Sequence, residues 1–229
     1  MSAVAERLSA VREDITARCK SLGRDEPTLI VVTKNHPVSI VDELFELGVR
    51  DFGENRVQEA APKFQEFTHS HPERSIVRHH IGQLQTNKVK TALGYTDVLH
   101  TVDRPQLLQE LVKRTAEFEH QLPVFIQVNL TTDPNRGGIA SKELQSFAME
   151  IANSKKLRLL GLMAVASLDV DPRLEFEKMA LLSQSLIQEL PTASKLSIGM
   201  SHDYADALEF GATHLRIGTA ITGIRTIGV

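Results

Sequence analysis

Eight short apolar runs recur along this chain of 229 residues, separated by stretches of helical periodicity, and no long linker interrupts the series. The first, Leu29-Ile30-Val31-Val32, is a continuous β-branched run of the kind found in strands buried on both faces, and Thr33-Lys34 and Pro37 end it. Further strands are predicted at Arg50–Phe52, Ile76–Ile81, Asp97–Val102, Val124–Asn129, Arg158–Met163, Lys195–Ile198 and His214–Ile217. Helical patterns occupy intervals such as Val38–Leu47, Gln106–Glu119, Lys142–Asn153 and Pro172–Leu190. Eight β-α units predict an α/β fold, a single (β/α)8 barrel of the triosephosphate isomerase type spanning residues 1–229. A doubly wound open sheet would satisfy the same alternation.

One helix stands outside this count. Val4, Leu8, Val11, Ile15 and Leu22 recur at steps of three, four and seven with charges between them, and Gly23 stops the pattern, so an extra amphipathic helix precedes the barrel. Its charged residues Glu6, Arg12, Glu13, Asp14 and Arg18 do not suit an apolar signal segment. The net charge of −3 offers no basic stripe for a nucleic-acid backbone. No uncharged apolar run approaches the roughly 20 residues of a membrane span. Cys19 is the only cysteine, which excludes an intramolecular disulfide and fits a cytoplasmic location.

Barrels of this type place their chemistry at the C-terminal ends of the strands. Lys34 stands there, directly after the first strand, where partial desolvation would lower its pKa and favour the neutral amine that attacks carbonyls. Taken alone, a lysine after a strand is more often a solvated loop residue. At the other end of the chain, His214-Leu215-Arg216-Ile217 runs into Gly218-Thr219-Ala220, a strand ending in a glycine and opening a helix whose free N–H groups favour phosphate. Gly199-Met200-Ser201, with Asp203 in the first turn of the next helix, supplies a second polar terminus. Alternation puts Arg216 on the same face as His214, with Leu215 and Ile217 opposite. Arg216 is then either paired with a carboxylate or set against a heteroaromatic ring nitrogen.

Other polar groups at the strand ends read two ways. Gly53-Glu54-Asn55-Arg56 is a strand-to-helix turn with Asn55 as N-cap, or it contacts a ligand. Gly82–Lys88 reads as loop and cap. The Arg136-Gly137-Gly138 loop beyond Asn129 grips an anion or merely turns the chain. His69 and His71 lack a spaced carboxylate or cysteine, and His79 and His80 point to opposite faces of a strand, so no metal is expected. No nucleophile elbow, Walker loop or dinucleotide fingerprint is present.

Taken in order, several segments resemble the pyridoxal phosphate homeostasis protein family, relatives of the barrel domain of alanine racemase. These are Val31–Lys34, Arg50–Asn55, His79–Lys88, Gln127–Asn129, Gly161–Met163, Ser197–Ser201 with Asp203, and Arg216–Ile221. The resemblance covers nearly the whole chain. It implies that pyridoxal 5'-phosphate (PLP) forms a Schiff base on Lys34, that Arg216 faces the pyridine nitrogen, and that Ser201, Gly218 and Thr219 hold the phosphate with Asn55 nearby. It also implies a role in PLP supply, with PLP-dependent apoenzymes as partners and no established reaction. His80, Gln83 and Thr222 depart from the family pattern, where an apolar residue, proline and phenylalanine are usual.

Two functional classes follow, a PLP carrier and a small racemase-like PLP enzyme acting on amino acids. Racemisation needs a base on each face of Cα, and alanine racemases take the second from a tyrosine in a β-domain this chain lacks. Tyr95 is expected on the far side of the barrel, whereas Tyr204, opening a helix after the Lys195–Ile198 strand, remains a candidate. A cationic Arg216 at the ring nitrogen opposes its protonation and weakens PLP as an electron sink. The carrier is therefore expected, with no catalytic residue, as a monomer or weak oligomer.

Overall fold

The computed structural model describes residues 2–131, 133, 136–167 and 169–223. Eight parallel strands, β1 (Thr28–Val32), β2 (Asp51–Glu54), β3 (Val77–His80), β4 (Val98–Val102), β5 (Leu122–Asn129), β7 (Leu157–Met163), β8 (Lys195–Ser197) and β9 (His214–Ile217), form one sheet. Pairing of β4 with β5 closes it into a barrel, so the closed alternative holds and the open sheet does not. A two-residue strand, β6 (Ile139–Ala140), adds to the C-terminal end of β5. Each strand end lies within a residue or two of its sequence expectation.

Helix α1 (Ala3–Leu22) begins where the Ser2 hydroxyl accepts the Ala5 N–H at 3.1 Å, and ends at Gly23 in the left-handed conformation, φ 63°. Its apolar face, Val4, Leu8, Val11, Ile15 and Cys19, is buried. It packs on α8 (Tyr204–Glu209) and α9 (Thr219–Thr222), and Arg7 Nε donates to Ile221 O at 2.7 Å. Arg12 donates to Leu47 O just beyond α2 (Val38–Glu46), so α1 spans the gap beside β1 and β9 in the outer layer. The outer layer includes α3 (Val57–Ser70), α5 (Pro105–Arg114), α6 (Leu144–Asn153) and α7 (Pro172–Glu189). The segment read as loop after β3 instead forms a short 3-10 turn, Thr86–Lys88, and α4 (Val89–Leu93). Among the described residues no helix is long and apolar enough to cross a membrane.

Strand β7 contains a position that only glycine fits. Gly161 adopts φ 151°, and a Cβ there would lie 1.8 Å from Lys195 O on β8. The β5–β7 register shifts at the same point, between Val124 and Phe125.

Candidate functional site

Register brings the expected residues to adjacent strand ends. Strand β1 pairs with β2 on one side (Val32↔Gly53) and β9 on the other (Val31↔Ile217), and β8 pairs with β9. Lys34, Asn55, Gly218-Thr219 and Ser201 therefore leave four consecutive strands, β1, β2, β9 and β8, at one side of the mouth.

The residues flanking Lys34 are held tightly. Thr33 Oγ1 donates to Glu54 Oε1 at 2.8 Å, and Lys63 Nζ donates to Thr33 O at 2.9 Å and to Glu54 Oε1 at 2.6 Å. Lys63 also pairs with Glu59 at 3.2 Å, and Glu59 accepts the backbone N–H of Asn35, which adopts a left-handed φ of 64°. Glu54 and Lys63 are buried, and burial pushes the Glu54 carboxyl up from its ordinary value against the pull of the Lys63 ammonium. Lys34 itself is exposed. The expected desolvation of Lys34 is corrected: the turn carries it past the strand end, and the desolvated lysine of this region is Lys63. Sequence reading missed the clamp because Glu59 and Lys63, four apart on a helix, look like a solvated ion pair.

Asn55 is not an N-cap. Helix α3 starts at Val57, and the capping position is Arg56, whose side chain makes no cap bond. Asn55 Oδ1 is instead buried without a hydrogen-bond partner among the described residues. Its backbone presses on the β3 loop, since a Cβ at Gly82 would lie 2.1 Å from Asn55 O.

At the last strand, Ser201 Oγ accepts the N–H groups of Gly218 at 3.2 Å and Ala220 at 3.3 Å, while Thr219 is exposed. A Cβ at Gly218 would come no closer than 3.4 Å to Val32, so protein packing does not demand glycine there. Asp203 is the N-cap of α8 and accepts the Met200 N–H. Arg216 is buried and points into the barrel, as alternation requires: Nη1 donates to Ser197 O and Oγ, both at 2.6 Å, and Nη2 to Ala164 O at 2.7 Å. No carboxylate touches Arg216 among the described residues. Burial pulls its pKa down to about 10, which leaves it charged at neutral pH. Three of the five guanidinium N–H donors are used, leaving two.

Other expected groups separate from this cluster. Tyr204 donates to Asp14 Oδ2 on α1 at 2.8 Å, and burial with that carboxylate pushes its phenol up to about 12. Its candidacy as a mouth base is thereby withdrawn. Tyr95 is buried between α4 and β4, its hydroxyl 2.8 Å from His80 Nδ1. Arg136 ties its loop to the β7 end through Ser167 and Ala166 O, the chain-turning alternative. A polar cleft of about 260 Å³, lined by Gln83, Gln127, Asn129 and Arg136, opens beside it. Among the described residues no group of three or more His, Cys, Asp or Glu side chains is arranged to hold a metal ion.

A closed parallel barrel with this mouth is the architecture of the alanine racemase N-terminal domain, and that family model matches residues 7–226. The pyridoxal phosphate homeostasis proteins of Vibrio alginolyticus and Escherichia coli K12 share 35% and 37% identity with the chain. They cover 98% of it, and it covers 99% and 98% of them. The structure of PipY from Synechococcus elongatus PCC7942 with PLP bound superimposes with a TM-score of 0.84 at 31% identity, covering 96% of this chain and all of PipY. The chain belongs to the pyridoxal phosphate homeostasis protein family. Alanine racemase from E. faecalis, at 17% identity and a TM-score of 0.68, shares the fold alone.

Proposed function

We propose that this protein binds PLP as a Schiff base on Lys34, takes part in intracellular PLP homeostasis in the cytoplasm, and passes PLP to apoenzymes. The observation that carries this reading is the convergence of an exposed amine, unsatisfied polar groups and phosphate-type donors on four consecutive strand ends. The names of the relatives and the PLP bound in PipY support it.

The residues present fit the group. When bound, PLP supplies a reactive aldehyde. Lys34, the exposed amine at the mouth, is the residue that would hold this aldehyde as a reversible Schiff base. Lys34 is exposed and so remains reachable by an acceptor, while the Glu54–Lys63–Glu59 clamp holds the turn that bears it. The hydroxyls of Ser201 and Thr219 would serve the phosphate, and the N–H groups of Gly218 and Ala220, which donate to Ser201 Oγ, hold that hydroxyl in place. The two remaining donors of Arg216 would serve the ring nitrogen, where a donor-only partner would disfavour protonation. Asn55 Oδ1, buried and unpartnered, accepts a donor at the mouth. The racemase-like alternative lacks a second base, since both tyrosine hydroxyls are engaged, Tyr95 with the buried His80 and Tyr204 with Asp14 on α1.

The purified protein is expected to be yellow, and borohydride reduction followed by peptide mass mapping should place the pyridoxyl group on Lys34. A label on Lys88, or none, would contradict the assignment. The phosphate grip has its own test. Removing a hydrogen bond to a charged group costs about 1.5–3 kcal/mol, so Ser201→Ala or Thr219→Ala should weaken PLP binding roughly 10- to 100-fold. Pyridoxal should bind less well than either variant binds PLP, and equal affinity for pyridoxal and PLP would rule out the site at Gly218-Thr219.

A further inference from the structure

A chain of hydrogen bonds crosses the barrel interior from Arg216 to Asp51, and its direction is fixed by chemistry. Arg216 can only donate. Its Nη1 lies 2.6 Å from Ser197 Oγ, so that oxygen accepts. The remaining neighbour of Ser197 Oγ among the described residues is His100 Nδ1 at 2.9 Å, and the hydroxyl proton goes there. His100 then accepts on Nδ1 and carries its proton on Nε2, 2.9 Å from His79 Nδ1. His79 must accept there and carry its own proton on Nε2, 3.0 Å from Asp51 Oδ1.

Every link follows from the one before. The order is guanidinium, hydroxyl, imidazole, imidazole, carboxylate, with both rings neutral and in the same tautomer. The reverse order would make Ser197 Oγ accept from both Arg216 and His100 and leave its own proton without an acceptor among the described residues. The contributing strands are β9, β8, β4, β3 and β2 in turn, and β4 and β8 are not sheet neighbours, so the chain passes through the interior. The rings are also packed in place. His100 stacks on Phe125 with centroids 4.5 Å apart, and His214 closes on both of them, at 6.1 Å and 5.1 Å. Asp51, the first residue of β2, lies toward the end of the barrel opposite the mouth and is 28% exposed.

We propose that Ser197, His100, His79 and Asp51 are positioning residues that hold Arg216 as a fixed donor toward the cofactor ring, with Asp51 as the terminal acceptor of a one-way hydrogen-bond chain. A buried guanidinium without a touching carboxylate is thereby connected to one through three aligned dipoles. The inference rests on Arg216 as the partner of the PLP ring nitrogen, whereas the chain itself is a property of the protein without ligand.

The two parts are tested separately. Imidazole 15N spectra of the ligand-free protein at neutral pH should show His79 and His100 neutral and protonated on Nε2. A proton on Nδ1 of either ring, or a cationic His100, overturns the chain whether or not PLP binds. In the PLP-loaded protein, Ser197→Ala should shift the visible absorption and fluorescence of the cofactor and weaken PLP binding roughly five- to tenfold, with Ser197→Thr restoring both. Asp51→Leu, remote from the mouth, should shift the same spectrum, while Asp51→Asn, which keeps an acceptor, should not. Folded Ser197→Ala and Asp51→Leu proteins with the parent spectrum would overturn the positioning role. Absence of PLP from the parent protein would defeat the functional reading while leaving the tautomer result to decide the chain.

Discussion

Replacing Lys63 by alanine is expected to destabilise the protein by roughly 3–5 kcal/mol, the cost of removing one partner from a buried ion pair. Glu54 has no exposed surface and Lys63 only 6%, so solvent cannot replace the lost ammonium. Glu54 would keep one bond, from Thr33 Oγ1, while its Oε2 already lacks a partner among the described residues. For a chain of this length the melting temperature should fall by on the order of 10 °C. The same change frees Thr33 O and loosens Glu59, so the turn bearing Lys34 loses two of its anchors and PLP occupancy should drop with stability. Pairing Glu54→Gln with Lys63→Met removes both charges and should recover much of the loss. Calorimetry of the single and double variants decides the matter: a single variant that melts with the parent would show that the pair contributes nothing.

This clamp also marks where sequence reading stopped. The strands were legible because parallel strands covered on both faces carry continuous apolar runs, and Leu29–Val32 and Arg158–Met163 correspond to β1 and β7 almost residue for residue. The opposite facing of His79 and His80 was legible from alternation: His79 meets His100 across the interior, and His80 meets Tyr95 on the other side of the sheet. Closure was expected from the count of eight units, but the open-sheet alternative stayed until β4 was seen to meet β5, a matter of strand tilt and shear that no local pattern encodes. The mouth residues could be gathered from their positions after strands, but their state could not. Burial belongs to the tertiary fold, so Lys34 was expected to be partly desolvated but is exposed, and the buried Lys63 carried no signal in the sequence. The helix expected over Gln106–Glu119 ends at Arg114, where the Thr115 hydroxyl folds back onto Leu111 O.

The second large effect is expected in acid, and its sign follows from the buried histidines. Burial pulls His80 down to about 4, burial with the neighbouring His79 and Lys195 pulls His214 down to about 4, and complete burial holds His100 well below its ordinary value. An unfolded histidine takes up its proton near pH 6.5. Between about pH 6.5 and 4 the unfolded chain therefore binds protons that the folded chain refuses, so stability rises with pH across this window and is lost on acidification. The fully buried His80 ring withdraws about 2 kcal/mol by pH 5, His100 acts in the same direction, and His214, which is only half-buried, contributes less. His80 alone thus predicts a loss of about 2 kcal/mol between pH 7 and 5, an appreciable part of the 5–15 kcal/mol typical of folded proteins, and His100 adds to it in the same direction. Glu54 and Asp103 act in the opposite sense, because burial raises their pKa values and their protonation favours the folded state as pH falls. Denaturant titrations at closely spaced pH values should show the midpoint falling steadily from pH 6.5 to 5. His80→Phe should reduce the slope by about 1.4 kcal/mol per pH unit, the contribution of one proton. A midpoint independent of pH across that window would mean that these rings are protonated in the folded protein.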